Sequence, residues 1–179
     1  LEGNQVQYAI EKMGVKEVLA AADNTAKAIT LGSNFTALVK LPIGKKISSN
    51  TTGGSGSSSD VDDEQLDEVL VIQGVDMSRE DYVNLKVFVN MPTADTKTPI
   101  YTAEYVGSTS IVPSPDAGKR LFTNVAMEVG DNLRRLGLDS EEYVVVTIVV
   151  DSFSGSPVTI RGIKIEYRST MCTSISSST

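Results

Sequence analysis

Asp67-Glu-Val-Leu-Val-Ile-Gln-Gly-Val-Asp76, followed after a short gap by Tyr82-Val-Asn-Leu-Lys-Val-Phe-Val89, sets the fold class. β-Branched and aromatic residues dominate both segments, so they read as two strands around a turn. In the first, Val69, Val71 and Gln73 face one way and Leu70, Ile72 and Gly74 the other. Both faces are apolar at the start, which predicts a central strand. At the far end, Val158 to Arg168 reads as a last strand, and Tyr143 to Val150 is the most β-rich run of the chain. Phe35 to Leu41 alternates and is stopped by Pro42. Ile100 to Gly107 and Lys119 to Glu128 complete the set, the latter with Leu121, Thr123, Val125 and Met127 on one face. Gly130 to Gly137 reads as a short helix, with arginines in its last turn and Gly137 as its stop. About seven strands and one short helix predict an all-β antiparallel sandwich or barrel. Parallel α/β architecture is excluded, because the long helices it needs between strands are missing.

The remaining stretches divide the chain. Residues 1–33, Ala-rich around Val15 to Ala22, read as a helical or extended arm leading in from an upstream domain. Residues 34–168 form the β-domain. Within it, residues 48–66 are a flexible Gly/Ser-rich loop with an acidic end. Asp60, Asp62, Asp63 and Glu64 lack the ligand alternation and central Gly of a calcium loop and read as a solvated charge run. Residues 169–179 are a loose Ser/Thr-rich tail. The first residues, Leu1-Glu2-Gly3, suggest a piece of a longer precursor.

Composition narrows the function. The 179 residues contain no histidine, one cysteine and no tryptophan. Imidazole acid–base catalysis, Ser-His-Asp systems and histidine-ligated metal sites are therefore ruled out for this chain. The formal net charge is −7. Phosphate backbones and anionic membranes repel such a chain, so nucleic acid and membrane insertion are not expected. No Walker loop, dinucleotide fingerprint or nucleophile elbow is present. Glu141-Glu142 point to opposite faces of a strand and cannot jointly flank one bond. Arg134-Arg135 match the helix C-terminus. Tyr101, Tyr105 and Tyr143 read as half-buried strand residues. Asn34-Phe-Thr36 and Asn50-Thr-Thr52 match the N-glycosylation sequon. Cys172 is either an inert thiol or half of an intermolecular or interdomain disulfide.

Glu68-Val-Leu-Val-Ile-Gln-Gly-Val75, Glu104-Tyr-Val-Gly-Ser108, Val146-Thr-Ile-Val149 and Val158-Thr-Ile-Arg-Gly-Ile-Lys-Ile-Glu-Tyr167 resemble the C-terminal domain of plant polyphenol oxidases, the family of catechol oxidases, tyrosinases and aurone synthase. The resemblance runs from about Phe35 to Tyr167. It departs where the family commonly has Lys-Phe-Asp-Val and this chain has Asn84-Leu85-Lys86-Val87.

The resemblance implies that catalysis belongs to an upstream domain holding two copper ions on six histidines, with no cofactor in this chain. The implied partner is that dicopper domain of the same precursor, which oxidises o-diphenols to o-quinones with O2. The C-terminal domain would cover the copper entrance and keep the enzyme latent until an activating protease, acid or detergent releases it. Ser108 to Gly118 is the candidate plug loop, with Ile111 as the first choice for an apolar placeholder, Val112 as the second, and Pro113 stiffening the turn. Ile111 packing inward as the end of its strand is the alternative. The implied compartment is the plastid thylakoid lumen or the vacuole. The rival class of function is a free-standing β-sandwich that binds a ligand or a protein through its loops.

Overall fold

The computed structural model describes residues 28–42, 66–114 and 119–169. Within them run β1 (Ile29–Leu31), β2 (Asn34–Lys40), β3 (Leu66–Ser78), β4 (Val83–Val89), β5 (Tyr105–Ile111), β6 (Arg120–Glu128), α1 (Gly130–Leu136), β7 (Tyr143–Ser152), β8 (Val158–Ile160) and β9 (Gly162–Ser169). Every pairing is antiparallel. One sheet has the order β1-β8-β3-β6, with β9 also paired to β3, and the other the order β2-β7-β4-β5. Among the described residues the architecture is the expected all-β sandwich with one short helix.

Alternation places the core. Leu70, Ile72, Val75 and Met77 of β3 face Leu85, Val87 and Val89 of β4 and Val146 and Ile148 of β7, all within one apolar cluster. β3 and β7 are apolar on both faces, as their near-continuous hydrophobic runs require. On the outer face of the second sheet, Phe88, Val149 and Ala94 form a smaller cluster, flanked by Met91 and Tyr105. The connection from Asn90 to Glu104 folds back over this face. The helix secures it: Asn132 Nδ2 of α1 donates to the carbonyls of Ala103 at 3.0 Å and Tyr105 at 2.8 Å. Lys86 Nζ donates to Thr96 O at 3.1 Å. The charge that departs from the family pattern thus sits on the outer face and holds this connection, while its neighbours Leu85 and Val87 fill the core.

Several boundaries differ from those read in the sequence. Ile29–Leu31, assigned to the arm, pairs with β8 through Ile29↔Ile160 to Leu31↔Val158. Ile100 to Glu104 is a turn, and the strand begins at Tyr105 and continues to Ile111. Tyr101 is accordingly not a half-buried strand residue but 88% exposed. The last strand is broken at Arg161 into β8 and β9. The break answers a bulge in β3, where the register with β6 shifts between Ile72 and Val75. Gly74 takes φ +58° there, and its N–H donates to Asn124 Oδ1 at 2.8 Å. Arg161 N–H donates to Gln73 O at 2.8 Å. A Cβ on Gly74 would lie 2.7 Å from Arg161 Cγ, so the glycine is needed for both conformation and space. Leu66, assigned to the 48–66 loop, is the first residue of β3; the rest of that loop with its acidic cluster, the Ala-rich segment, Asn50 and Cys172 lie outside the described residues.

Candidate functional site

Three connections meet at one pole of the sandwich. Val83, the first residue of β4, pairs with Ile111 at the end of β5 on one side and with Ser152 at the end of β7 on the other. The β3–β4 turn, the β5–β6 loop and the β7–β8 loop therefore leave the sheets side by side.

Strand β5 reaches further into the candidate plug loop than its composition suggests. Ser108 and Ser110 are exposed while Thr109 and Ile111 turn inward, so hydroxyl residues on an outward face make a strand read as a loop. Ile111, the first choice for the exposed tip, is the last strand residue and packs against the core cluster. The next residue, Val112, is 69% exposed, followed by the exposed Pro113. Both ends of the loop are fixed to one backbone unit. Ser114 N–H donates to Arg79 O at 3.1 Å, and Arg79 N–H donates to Lys119 O at 3.0 Å.

The β7–β8 loop carries a second apolar projection. Phe153 is 90% exposed, and its ring lies 5.5 Å from that of Tyr82, tilted by 44°. Tyr82 Oη is 3.4 Å from Ser110 Oγ, linking this loop to β5. Behind Phe153, Ser154 Oγ donates to Ser156 Oγ at 2.9 Å, and Ser156 Oγ in turn donates to the Asp81 carboxylate. The hydroxyl of Ser156, and then that of Ser154, hold the Asp81 carboxyl below its ordinary range. Gly155, at φ +69°, makes the tight turn between them. The available signal for Phe153 was a large aromatic side chain inside Asp151-Ser-Phe-Ser-Gly-Ser156.

Copper sites of the expected kind need imidazoles, and the chain has none. Among the described residues no group of three or more His, Cys, Asp or Glu side chains could hold a metal ion. This donor set does not fit a dicopper pair. Arg134, at the helix end, is committed to Asp131 at 2.6 Å and Glu68 at 3.4 Å. Glu142 meets Lys40 at 3.5 Å on the surface. Asn34 is exposed at the start of β2, and the hydroxyl of its sequon Thr36 lies 3.2 Å from Thr147 Oγ1. No described helix is long and apolar enough to cross a membrane.

A family model described as the chloroplastic polyphenol oxidase C-terminal domain matches residues 39–167. A chloroplastic polyphenol oxidase of Malus domestica is 32% identical over 169 residues, covering 89% of this chain and 25% of its own length. Aureusidin synthase of Antirrhinum majus is 33% identical over 107 residues, 58% of this chain and 19% of its own. A solved structure of latent apple tyrosinase superposes with a TM-score of 0.59 at 29% identity, covering 86% of this chain and 31% of that one. A latent aurone synthase structure gives 0.59 at 24% identity, with 87% and 28% covered, and supports the fold. The chain thus spans a quarter or less of the length of the curated relatives it matches. With the match extending from β2 through β9, the chain belongs to the family of polyphenol oxidase C-terminal domains.

Proposed function

We propose that this domain is the shield of a plant polyphenol oxidase. It covers the dicopper site of a catalytic domain in the same precursor and keeps the oxidation of o-diphenols latent until the connection is cut or loosened. The observation that carries this reading is Val112: an apolar side chain, 69% exposed, just beyond β5 on a loop whose two ends are fixed to the backbone of Arg79. A pocket that accepts a flat phenol can be filled by such a side chain. Anchoring at both ends removes the ordering cost that a free loop would bring to the contact. Val112 takes the placeholder role, Pro113 stiffens the turn behind it, and Ile111 anchors it from the core.

The relatives named latent, from apricot and apple, support the same reading. The two copper ions belong to the upstream domain and supply its redox chemistry; this chain contributes position and exclusion. Acid, detergent or a protease acting on the arm would release the shield. Several relatives are named chloroplastic, which favours the plastid over the vacuole. Asn34 and Asn50 would carry glycans only in a precursor routed through the secretory pathway, and Cys172 would form a disulfide to the catalytic domain only in an oxidising compartment.

The test is catechol oxidation by the uncut precursor. Val112→Gly is expected to raise its activity about tenfold, the loss typical of a buried contact residue. An uncut wild-type precursor that is already as active as the protease-treated one sinks the shielding role.

A further inference from the structure

We propose that Phe153 is a second docking residue of this pole, seated on the catalytic domain beside Val112; the inference rests on the shielding reading and extends it to a residue on a different loop. Ile111 and Ser152 both pair with Val83, from opposite sides of β4. Val112 and Phe153 therefore leave strands two inter-strand spacings apart, about 10 Å. A stable interface covers about 800 Å² on each partner, roughly 30 Å across. An interface of that size centred on Val112 reaches the end of β7, which Phe153 follows.

The side chain suits the role. It is 90% exposed, and aromatic residues are enriched where protein surfaces meet. Its loop is organised before any partner arrives. Tyr82 supports the ring from one side at 5.5 Å. Ser154, Ser156 and Asp81 close the turn behind it. The occupant is the catalytic domain rather than a second copy of this chain, because Phe153 shares its pole with the plug. The chain offers a matched control in Tyr101, 88% exposed at the other end of β5.

The experiment uses the full-length uncut precursor, with catechol oxidation expressed as a fraction of the activity after proteolysis, and with solution size measured in parallel. Phe153→Ser is expected to raise the uncut activity about tenfold. Phe153→Leu should keep most of the latency, and Tyr101→Ser should change nothing. Unchanged melting of Phe153→Ser shows that the domain itself stays folded. If Val112→Gly releases activity and Phe153→Ser does not, the second docking residue is overturned while the shielding role stands. Release by Tyr101→Ser, or a smaller assembly with latency intact in Phe153→Ser, also overturns it. Full activity of the uncut wild type removes the shielding role first.

Discussion

Glu68 and Glu166 respond to acid in opposite directions, although both lie on the same sheet and contact basic side chains. Burial raises the Glu68 carboxyl above its ordinary value of 4.5; Arg134 acts against this, while Asp139 and Asp67 add to it. The native state therefore binds this proton more tightly than the unfolded chain does. The stabilising share of Glu68 is fully present below 4.5 and is lost as pH rises through the raised native value. Glu166 is the reverse case. Hydrogen bonds from Lys164, and then from Arg168, hold it below 4.5, so its contribution is present above 4.5 and lost as pH falls through the lowered native value. Arg134 is 60% exposed, so its ion pair with Glu68 is worth about 1 kcal/mol at most. Glu68→Gln is accordingly expected to keep or slightly raise the melting temperature at neutral pH, and to flatten its rise on mild acidification. Glu166→Gln should lower stability at neutral pH and leave it unchanged in strong acid. Melting curves of both variants across pH check the pair, and a clear neutral-pH loss in Glu68→Gln would reverse the assigned order of effects. The space around Glu68 fits the same account: a Cβ on Gly130 would come within 2.6 Å of its Oε2, so a larger residue at the start of the helix would displace this carboxylate.

Among the elements, α1 matters for what it holds. It is short and buries Leu133 and Asn132, too few residues to stand alone in water. Its Asn132 amide supplies the donor to two carbonyls that bracket the start of β5. Asn132→Ala leaves Ala103 O and Tyr105 O without that donor and should cost about 1–3 kcal/mol. Denaturant unfolding should show the loss, and amide exchange should speed up first around residues 100–105. Uniform acceleration across the domain would instead make Asn132 an ordinary core residue. The same region shows where sequence reading stops. Strands β3, β4 and β7 were legible because burial on one or both faces writes itself as runs of Val, Ile and Leu. β5 was displaced because Ile100-Tyr101 resembles strand and Ser108-Thr-Ser110 resembles loop, whereas pairing with β4 decides the matter. The β8–β9 break was invisible because the bulge that demands it lies in another strand. At the candidate site, the loop was legible from Pro113, but the choice of Val112 over Ile111 depends on which of them pairs with Val83. Phe153 became visible only beside Tyr82, which is distant in sequence.

Across the whole molecule, the proposed shielding would gain its strength from attachment. A contact centred on Val112 need not be tight by itself, because a tether holds the partner at an effective concentration in the millimolar range. Buried area alone does not convert into affinity. The cut precursor should therefore behave differently from the uncut one even before any contact changes. When the uncut protein is diluted from about 10 µM to about 10 nM, its latency should stay constant, since closure is intramolecular. The cut protein, still containing both pieces, should be largely latent when concentrated and gain activity per molecule as it is diluted past the dissociation constant of the untethered pair. Val112→Gly and Phe153→Ser should shift that transition to higher concentration, each by about tenfold if each is an independent anchor. Activity of the cut protein that does not depend on concentration would mean that cleavage destroys the shield rather than detaches it. The transition position, measured with and without Asp81→Asn, would then separate a lost contact from a loosened loop: Asp81 holds Ser156, so its loss should weaken docking only as far as the Phe153 loop needs to be organised beforehand.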